Sequence, residues 1–433
     1  MPFDICVLGL GYIGLPTASI FATKGKRVLG VDVVPAVVDT INHGKIHIEE
    51  PDLDVLVRAA VQSGNLRAAG TPQPAGAFII AVPTPFNTAG DGRKTPDLSY
   101  VEAAARSLAP VVAAGNLVIL ESTSPVGTTE RVRDWLADEL RRAGSPLDAT
   151  RDLLFAHCPE RILPGQMLRE LVSNDRIAGG LTPPAAERAR QLYATFCTAE
   201  IFATDARTAE LAKLTENAFR DVNIAFANEL SLVCERTGVD VWELIALANR
   251  HPRVKILQPG PGVGGHCIAV DPWFIVDAAP EQARLIRTAR EVNDAKPHHV
   301  IAQVLEAAGK ITGGAGNATG GAGKKVTVAA LGLAFKANVD DLRESPAVEI
   351  VNELAKHTAA GGEKPLQLLA VEPHIRALPA KLAAGGVELA ALENALARAD
   401  IVLLLVDHAA FRAVQPAALA GKTLIDTRGF WHR

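Results

Sequence analysis

Short apolar segments alternate with helical stretches through the first two hundred residues. Five segments, each rich in apolar residues and bounded by polar or turn residues, have the pattern of buried strands: ICVLG, RVLGVD, AFIIAVP, NLVILEST and LLFAHCPE. Strands that alternate with helices form parallel sheets covered on both faces. The pattern therefore predicts a parallel-sheet domain over residues 1–203.

After residue 203 the apolar period becomes that of a helix. From Thr208 to Gly238 apolar residues recur three and four positions apart, and the final glycine is a stop signal. A helix of about thirty residues exceeds the common globular length of about 8 to 20. We therefore predict a central helical domain over 204–308. Its long helix could pair with a second copy or be buried within one chain, and the pattern leaves both open.

A glycine-rich segment precedes the last part of the chain. Residues 309–323 read GKITGGAGNATGGAG and offer few side chains that a core could bury, so they predict a linker or surface loop. KKVTVAALGLAF, LQLLAVEP and ADIVLLLVDH then begin a second alternation over 324–433. The predicted fold is α/β, with two Rossmann-like parallel-sheet domains joined by a long-helix central domain.

Composition narrows the class of partner. The 433 residues suffice for two or three domains, and a net charge of -4 provides no basic field for nucleic acid. The first residues lack the cationic start and apolar core of an export signal, and the best apolar run, 401–406, is far below the ~20 residues that span a bilayer. We expect a cytoplasmic protein with a small-molecule ligand, and neither nucleic acid nor membrane as partner.

Cysteine usage singles out one thiol. The five cysteines are odd in number, far apart and without a CxxC pair, which favours neither a disulfide framework nor a zinc site. Cys267 lies in GPGVGGHCIAVDPW, where few side chains would block an approaching substrate. A lone cysteine is commonly a small buried hydrophobe. In this glycine-rich setting we interpret Cys267 as a candidate nucleophile.

The amino-terminal GLGYIG follows a predicted strand and leads into a predicted helix. In that context the three glycines permit a tight turn, approach of backbone to a pyrophosphate, and close packing of helix on strand. Asp32 ends the next strand, where its carboxylate can accept from ribose hydroxyls and would repel a 2'-phosphate. We therefore predict NAD as cofactor, bound by Gly9, Gly11, Tyr12, Ile13, Gly14 and Asp32.

The second sheet domain carries a weaker nucleotide signal. Gly332 follows its first strand without the rest of a dinucleotide fingerprint, so a second dinucleotide is not expected. The segment FKANVDDLRESP then places Phe335, Lys336 and Arg343 near that strand's end, where open α/β sheets bind ligands. These residues fit recognition of a nucleotide base or phosphate, and a solvated loop is the alternative interpretation.

Several motifs in order resemble those of one enzyme family. GLGYIG with Asp32 is followed by AVPTP, ESTSPVGT, CPER, AKLTENAF and GVGGHCIAVD. Together they resemble the UDP-glucose/GDP-mannose dehydrogenase family over nearly the whole chain. The resemblance implies a four-electron oxidation of the C6 alcohol of a UDP-sugar to a carboxylate, using two NAD and one water.

The resemblance also implies catalytic roles. Cys267 would add to the aldehyde to form a thiohemiacetal, whose oxidation gives a thioester. Lys213 and Asn217, one helical turn apart, would donate to the developing oxyanion. Glu160 would position or deprotonate the hydrolytic water, and Asp271 would orient Lys213 or a water. The group that takes the first hydroxyl proton is left open.

Ligand contacts are implied in the same way. Thr84 and Thr123 would face the nicotinamide, although their hydroxyls could equally satisfy local backbone, and Arg343 would lie near the cofactor. Family members are usually homodimers that pair through the long helix, and Arg253 could reach the neighbouring site. The residues implied to bind the sugar nucleotide are Arg161, Ile162, Lys213, Asn217, Arg220, His251, Arg253, Gly264, Phe335 and Lys336.

Two competing site assignments are disfavoured. His266 adjoins Cys267 and could be its base, but adjacent residues in a turn often point apart. A metal site built from the pairs 157–158 and 266–267 would lack the usual ligand spacing, so no metal is predicted.

The string after Cys267 indicates the substrate branch. UDP-glucose and GDP-mannose members generally have a CLPKD-like string, whereas this chain has CIAVD. The departure resembles the branch that acts on UDP-N-acetylhexosamines. We expect oxidation of UDP-N-acetyl-D-mannosamine to its uronate for surface polysaccharide, with UDP-N-acetyl-D-glucosamine and then UDP-glucose as alternatives. A single-step hydroxyacid-type dehydrogenase and a non-catalytic nucleotide-binding protein are the more distant interpretations.

Overall fold

The structure, a computed structural model, describes residues 3–48, 50–88, 90, 94–162, 165–265, 267–312, 325–357 and 366–431. Its contacts divide the chain into two compact units. The first comprises Met1–Glu216 with Trp273–Pro280, and the second comprises Asn217–Pro272 with Glu281–Arg433.

The first unit begins with an alternation of strands and helices. Its elements are β1 (Phe3–Leu8), α1 (Gly14–Thr23), β2 (Val28–Val31), α2 (Pro35–Asn42), α3 (Leu53–Gln62), β3 (Leu66–Ala69), β4 (Ala75–Ile80), β5 (Phe86–Thr88), β6 (Lys94–Pro96), α4 (Ser99–Ser107), β7 (Leu117–Leu120), α5 (Thr128–Arg142), α6 (Ala149–Asp152), β8 (Leu154–His157), α7 (Met167–Ser173), β9 (Arg176–Gly180), α8 (Pro183–Tyr193) and β10 (Ile201–Asp205).

Eight of these strands form one sheet in the order β10-β9-β8-β7-β4-β1-β2-β3. The five strands predicted from apolar runs are β1, β2, β4, β7 and β8, and the predicted parallel sheet is confirmed. The pair β8–β9 is the exception, because His157 pairs with Gly179 in an antiparallel register. Alternate residues of β1 enter separate cores on the two faces, with Ile5 and Val7 on one side and Cys6 and Leu8 on the other.

Four helices follow the first sheet along the chain. They are α9 (Ala206–Thr237), α10 (Val241–Ala248), α11 (Asp271–Ala278) and α12 (Arg284–Ile311). The predicted long helix is thus present with 32 residues. Asp205 sets its start by accepting from the Thr208 backbone N–H at 2.9 Å and from its hydroxyl at 2.6 Å. Gly238, at a φ of 72°, follows its end.

Helix α12 extends to Ile311, so the first three residues of the predicted 309–323 linker are helical. Residues 313–323 of that linker lie outside the described residues. Among the helices that the structure describes, none combines the length and the apolar character needed to cross a bilayer.

The second sheet lies near the end of the chain. Its elements are β11 (Val326–Leu331), α13 (Pro346–Ala355), β12 (Leu366–Val371), α14 (Ala380–Ala384), β13 (Glu388–Leu389), α15 (Leu392–Arg398), β14 (Ile401–Leu404), a 3-10 helix (Ala409–Ala413), α16 (Pro416–Leu419) and β15 (Thr423–Asp426). The order is β13-β12-β11-β14-β15 and every pair is parallel. The predicted second Rossmann-like domain is therefore confirmed.

Candidate active site

The glycine fingerprint forms a turn that packs closely against the first sheet, so Gly9 and Gly14 have no room for side chains. Gly9 has a φ of 91°, and a Cβ at this position would lie 2.5 Å from the Ala81 carbonyl oxygen. A Cβ on Gly14 would lie 1.8 Å from the Gly9 oxygen. Gly11 differs, because no described atom beyond its two chain neighbours lies within 4 Å of its Cβ position. The turn is closed toward the sheet and open at Gly11, which fits a pyrophosphate against the backbone.

Asp32 stands at the end of β2, beside this turn. Its carboxylate accepts from the Leu10 backbone N–H at 3.1 Å and from the Val34 backbone N–H at 2.9 Å. Each oxygen keeps a lone pair, and the side chain is half-buried. The residue can therefore accept from a ribose diol while it remains fixed to the glycine turn. Tyr12 and Ile13 lie at the start of α1 and are half-buried.

Thr84 and Thr123 are joined by a hydrogen bond. The Thr84 hydroxyl donates to the Thr123 carbonyl oxygen at 2.6 Å, which connects the segment after β4 to the segment after β7. The Thr84 hydroxyl proton is thus used by backbone, as the alternative interpretation expected. Its oxygen still has acceptor capacity.

Glu160 follows β8 and is buried with both carboxylate oxygens hydrogen-bonded. Oε1 accepts from the Arg161 backbone N–H at 2.7 Å, and Oε2 lies 2.7 Å from Nη2 of Arg176. Arg176 is buried as well. The predicted residue therefore has a fixed orientation that depends on an arginine which sequence reasoning did not identify.

Arg161 also has a charged partner. Its Nη2 lies 2.6 Å from Oε1 of Glu216, and its Nη1 donates to the Asp175 carbonyl oxygen at 3.1 Å. Glu216 belongs to α9, which also carries Lys213 one turn earlier. Ile162 and Lys213 are half-buried.

In the second unit, Asn217 and Asp271 form a buried pair. The Asn217 side-chain amide donates to Oδ2 of Asp271 at 2.5 Å. Asp271 is the first residue of α11, and its backbone N–H donates to the Cys267 carbonyl oxygen at 2.8 Å. The turn that carries the thiol is therefore connected through Asp271 to an amide on the long helix.

Cys267 is exposed, whereas the other four cysteines are buried; all five are unbridged thiols. Burial raises the pKa of Cys6 to about 12. Burial, and then the charge of Glu121, raise the pKa of Cys158 well above its ordinary value. Because thiolates are the nucleophilic form, those two cysteines are unreactive at neutral pH. Exposure favours Cys267 as the candidate nucleophile.

The glycines before Cys267 pack against the loop that follows β11. A Cβ on Gly264 would lie 2.3 Å from the Glu344 carbonyl oxygen, and one on Gly265 would lie 3.1 Å from the Phe335 ring. The structure thus brings Gly264 and Phe335, two of the residues predicted to bind the sugar nucleotide, into one region. Glu344 has a φ of 49° and carries no sequence signal for this conformation.

The remaining predicted residues of the second unit are accessible. Arg343 makes a bidentate pair with Asp341, at 2.9 Å from Nε and 2.7 Å from Nη2. The Arg253 backbone N–H donates to Nδ1 of His251 at 3.4 Å in the turn after α10. Arg220, His251 and Arg253 are exposed, and Lys336 is half-buried.

Two groups of residues contain side chains of the types that bind metal ions. His157 is buried at the end of β8, where burial lowers its pKa to about 3, and His266 lies outside the described residues. Glu372, His374 and His408 have ligand atoms within 4.8 Å of one another. However, Nδ1 of His408 accepts from the Asn338 backbone N–H at 2.9 Å, so its Nε2 carries a proton and donates to Glu372 at 3.0 Å. The group is built as a hydrogen-bond cluster.

Comparisons with known proteins agree with this geometry. The NAD-binding, central and UDP-binding domain models of the UDP-glucose/GDP-mannose dehydrogenase family match residues 3–197, 207–295 and 329–433. The chain is 59% identical to an NDP-N-acetyl-D-galactosaminuronic acid dehydrogenase of Ralstonia nicotianae, over 99% of this chain and 96% of the relative.

Two UDP-N-acetyl-D-mannosamine dehydrogenases are also similar. The Escherichia coli K12 protein is 54% identical over 99% of both chains. The solved structure from Pyrococcus horikoshii is 39% identical, with a TM-score of 0.85 over 99% of this chain and 96% of that one. With the glycine cradle, the acid at Asp32 and all three family domains in order, the chain belongs to the UDP-glucose/GDP-mannose dehydrogenase family and is an NAD-dependent nucleotide-sugar dehydrogenase.

Proposed function

We propose that the protein oxidises the C6 alcohol of UDP-N-acetyl-D-mannosamine to the carboxylate through a thioester on Cys267. The observation that carries the proposal is the connection from the exposed Cys267 turn, through Asp271, to the amide of Asn217. It fixes an accessible thiol relative to a hydrogen-bond donor, as thiol addition to an aldehyde requires. Bound NAD supplies the two-electron acceptor for each oxidation.

Cys267 has the central chemical role. Its sulfur bonds to the C6 aldehyde, and the carbonyl oxygen becomes the hydroxyl of a thiohemiacetal. Loss of two electrons and two protons converts this adduct to a thioester. Because the sugar remains bonded to sulfur between the two oxidations, the aldehyde does not enter solvent.

Lys213 and Asn217 stabilise the oxygen on which negative charge develops. Both belong to α9 and lie four residues apart, which is one helical turn. Asn217 already donates to Asp271, so the carboxylate fixes the orientation of the amide. The amide nitrogen has a second N–H for the oxyanion. Such donors contribute most when they are oriented before the reaction.

Glu160 serves the hydrolytic step. Its carboxylate takes a proton from the attacking water, the water oxygen bonds to the thioester carbon, and the carbon–sulfur bond breaks. The proton held by Glu160 passes to the thiolate of Cys267. The released carboxylic acid loses the second proton of the water to solvent and leaves as a carboxylate. The burial of Glu160 suits a group that must hold one water in one place.

Each of the two sheet domains is assigned one of the two nucleotide ligands. We assign NAD to the domain 1–203, with Thr84 and Thr123 facing the nicotinamide and Arg343 near the cofactor, and UDP to the domain 324–433. The central domain 204–308 carries Cys267, Lys213, Asn217 and Asp271, whereas Glu160 belongs to the first domain. The sugar nucleotide is assigned to Arg161, Ile162, Lys213, Asn217, Arg220, His251, Arg253, Gly264, Phe335 and Lys336. Arginine side chains suit the diphosphate because they bind it bidentately.

The substrate is assigned from the relatives and from the CIAVD string. Relatives named UDP-N-acetyl-D-mannosamine dehydrogenase support the mannosamine epimer. The relative from Ralstonia nicotianae, at 59% identity, favours a galactosamine-derived substrate as a second candidate. Both candidates are N-acetylhexosamine nucleotides, and their uronates are building blocks of surface polysaccharide.

We also propose that the protein is a cytoplasmic homodimer that pairs through α9. Phe219, Phe226 and Val233 repeat every seven residues on this helix and are 68%, 52% and 51% exposed. An apolar stripe at heptad spacing is typical of a helix that packs on another helix. The cytoplasm is supported by the chemistry, since Cys267 must remain a reduced thiol.

The yield of NADH tests the proposed function. Purified protein is given a limiting amount of UDP-N-acetyl-D-mannosamine, UDP-N-acetyl-D-glucosamine, UDP-N-acetyl-D-galactosamine or UDP-glucose with excess NAD. We expect two NADH for each molecule of the preferred sugar, and the mannosamine compound to give the highest kcat/KM. A yield of one would identify a single-step dehydrogenase, and no yield from any sugar would overturn the enzymatic proposal.

A further inference from the structure

We propose that Arg176 is the positioning residue for Glu160 in thioester hydrolysis, an inference that rests on the proposed function. Nη2 of Arg176 lies 2.7 Å from Oε2 of Glu160. The other carboxylate oxygen is held by a backbone N–H at 2.7 Å. With one fixed donor on each oxygen, the carboxylate cannot rotate, and its remaining lone pairs point in fixed directions.

The reversed strand explains how this arginine reaches the glutamate. In the antiparallel register His157 of β8 pairs with Gly179 of β9. Three residues forward from His157 is Glu160, and three residues back from Gly179 is Arg176. If β9 ran parallel to β8, Arg176 would lie at the opposite end of the strands, where β8 begins. Because β9 is reversed, Arg176 lies at the carboxyl end of β8, where ligands of α/β sheets bind.

Two aromatic rings hold the guanidinium in place. Its central carbon lies 4.8 Å from the ring centroid of Tyr193 and 5.2 Å from that of Phe196. Phe21 packs against both rings, at 5.8 Å and 4.8 Å between centroids. Arg176 is 5% exposed. The aromatic contacts restrict the head group, so the N–H groups in its plane remain directed at the carboxylate.

A neighbouring carboxyl group, Glu121, is hydrogen-bonded to a different partner. Glu121 is buried and accepts from the Tyr193 hydroxyl at 2.9 Å. Burial, and then the negative charge of Glu160, raise the pKa of Glu121 to about 8, against a smaller lowering by Arg176. The 2.7 Å ion pair of Arg176 is made with Glu160. The interaction is directed to Glu160, the group that hydrolysis uses.

The inferred role separates one step from the others. Formation of the thioester uses Cys267 and the oxyanion donors, and releases two NADH before water attacks. A misplaced Glu160 would therefore leave the first two reductions intact and slow only the release of the carboxylate. A purely structural role of Arg176 would lower all steps together, because it would reduce the fraction of folded enzyme.

Pre-steady-state kinetics of Arg176→Met and Arg176→Lys test the inference. With saturating UDP-N-acetylhexosamine and NAD, we expect Arg176→Met to release a burst of two NADH per active site at close to the parent rate. Its steady-state rate should fall about 100-fold, as expected for a displaced catalytic group. The intact mass of the Arg176→Met protein should show the sugar adduct on Cys267. Arg176→Lys should recover part of the rate, since it keeps the charge but not the planar fork.

Two control variants separate positioning from stability. Arg190→Met removes a half-buried arginine that pairs with Glu187 at 2.7 Å, and should leave both phases unchanged. Val132→Ala removes buried side chain elsewhere in the same unit and should lower the melting temperature without changing the ratio of burst to steady-state rate.

The outcomes distinguish this inference from the proposed function. One NADH per sugar from the parent enzyme would overturn the proposed function before any variant is compared. If the parent gives two, an unchanged steady-state rate in Arg176→Met, or equal losses in burst and steady state, would overturn the role of Arg176 alone. Should Arg176→Met not fold, Arg176→Lys must still accumulate the adduct for the inference to stand.

Discussion

Asn217 donates its side-chain amide to the carboxylate of Asp271 across 2.5 Å, although 54 residues separate them in the chain. Asp271 begins the helix that follows the Cys267 turn, and its backbone N–H is bonded to the Cys267 carbonyl. The pair therefore sets the orientation of an amide and the position of a thiol together. A change at Asp271 would affect both, which makes single substitutions at Cys267 and Glu160 the cleaner tests of mechanism.

Replacement of Cys267 by alanine should abolish acid formation and leave NAD binding unchanged. Without the sulfur, no thioester forms, and the glycine cradle for NAD is in a different part of the chain. Acid is measured by chromatography and NAD affinity by calorimetry. Cys234→Ala, which removes a buried thiol, should still give two NADH per sugar. Normal acid production by Cys267→Ala would remove this residue as the nucleophile.

Glu160→Gln should slow hydrolysis by about 10²- to 10⁴-fold, the usual contribution of a general base. The thioester would then accumulate on Cys267 and be visible in the intact protein mass. Glu200→Gln, at an exposed carboxylate of the same unit, serves as control and should show no adduct. Slow turnover of Glu160→Gln with an unchanged mass would contradict the assignment.

Alanine at Gly11 and at Gly14 should have different effects. The Gly11 Cβ would meet no protein atom, so Gly11→Ala should keep the parent melting temperature but lose NAD affinity by tenfold or more, because the methyl group would fill the pyrophosphate position. The Gly14 Cβ would collide with backbone, so Gly14→Ala should unfold at a lower temperature. Full NAD affinity in Gly11→Ala would show that the phosphate binds elsewhere.

Phe226→Arg should convert the dimer to a monomer of 45.6 kDa. The residue lies at the centre of the exposed stripe on α9, where a charge would be costly to bury between two helices. Light scattering measures the mass. Val55→Arg alters an equally exposed apolar residue on α3 and should leave the dimer intact. A parent protein of monomer mass, or a dimeric Phe226→Arg, would refute pairing through this stripe.

Lys296 should make stability depend on pH. Burial lowers its pKa from 10.5 to about 8, against a smaller opposing effect of Glu235, and its Nζ donates to the Ser231 hydroxyl at 2.7 Å. Between about pH 8 and 10.5 the unfolded chain holds the extra proton. The free energy of unfolding should therefore rise with pH across this range, by up to about 1.4 kcal/mol per pH unit. The gain is lost as the pH falls from 10.5 through 8.

Urea unfolding at several pH values measures this effect. Lys296→Met keeps most of the side-chain volume and removes the titrating group. The difference in free energy between parent and variant should change only across that pH range. A constant difference would show that the amine keeps its charge when the protein is folded.

The sequence predicted the strands and the long helix because buried β-strands and amphipathic helices leave direct periodic signals. It could not predict that β9 runs antiparallel to β8, since RIAGG is compatible with either direction. The Arg176–Glu160 pair depends on that direction and was therefore missed. Likewise, the Asn217–Asp271 contact arises from tertiary packing over a long separation, and the left-handed backbone at Glu344 has no compositional marker. The order of the motifs was enough to predict the reactive residues. The hydrogen-bond partners of those residues could be identified only from the folded structure.

Glu372 stands after β12 as Asp32 stands after β2, yet its Oε2 accepts from the backbone N–H groups of Leu333 and Ala334 and from His408. That carboxylate is hydrogen-bonded within its own domain, and the described residues form one dinucleotide cradle, the glycine turn beside Asp32. Two reductions at one cradle require the first NADH to depart and a fresh NAD to arrive while the half-oxidised sugar waits. In the proposed mechanism, the lifetime of the sulfur-bound sugar must therefore exceed the time that coenzyme exchange takes.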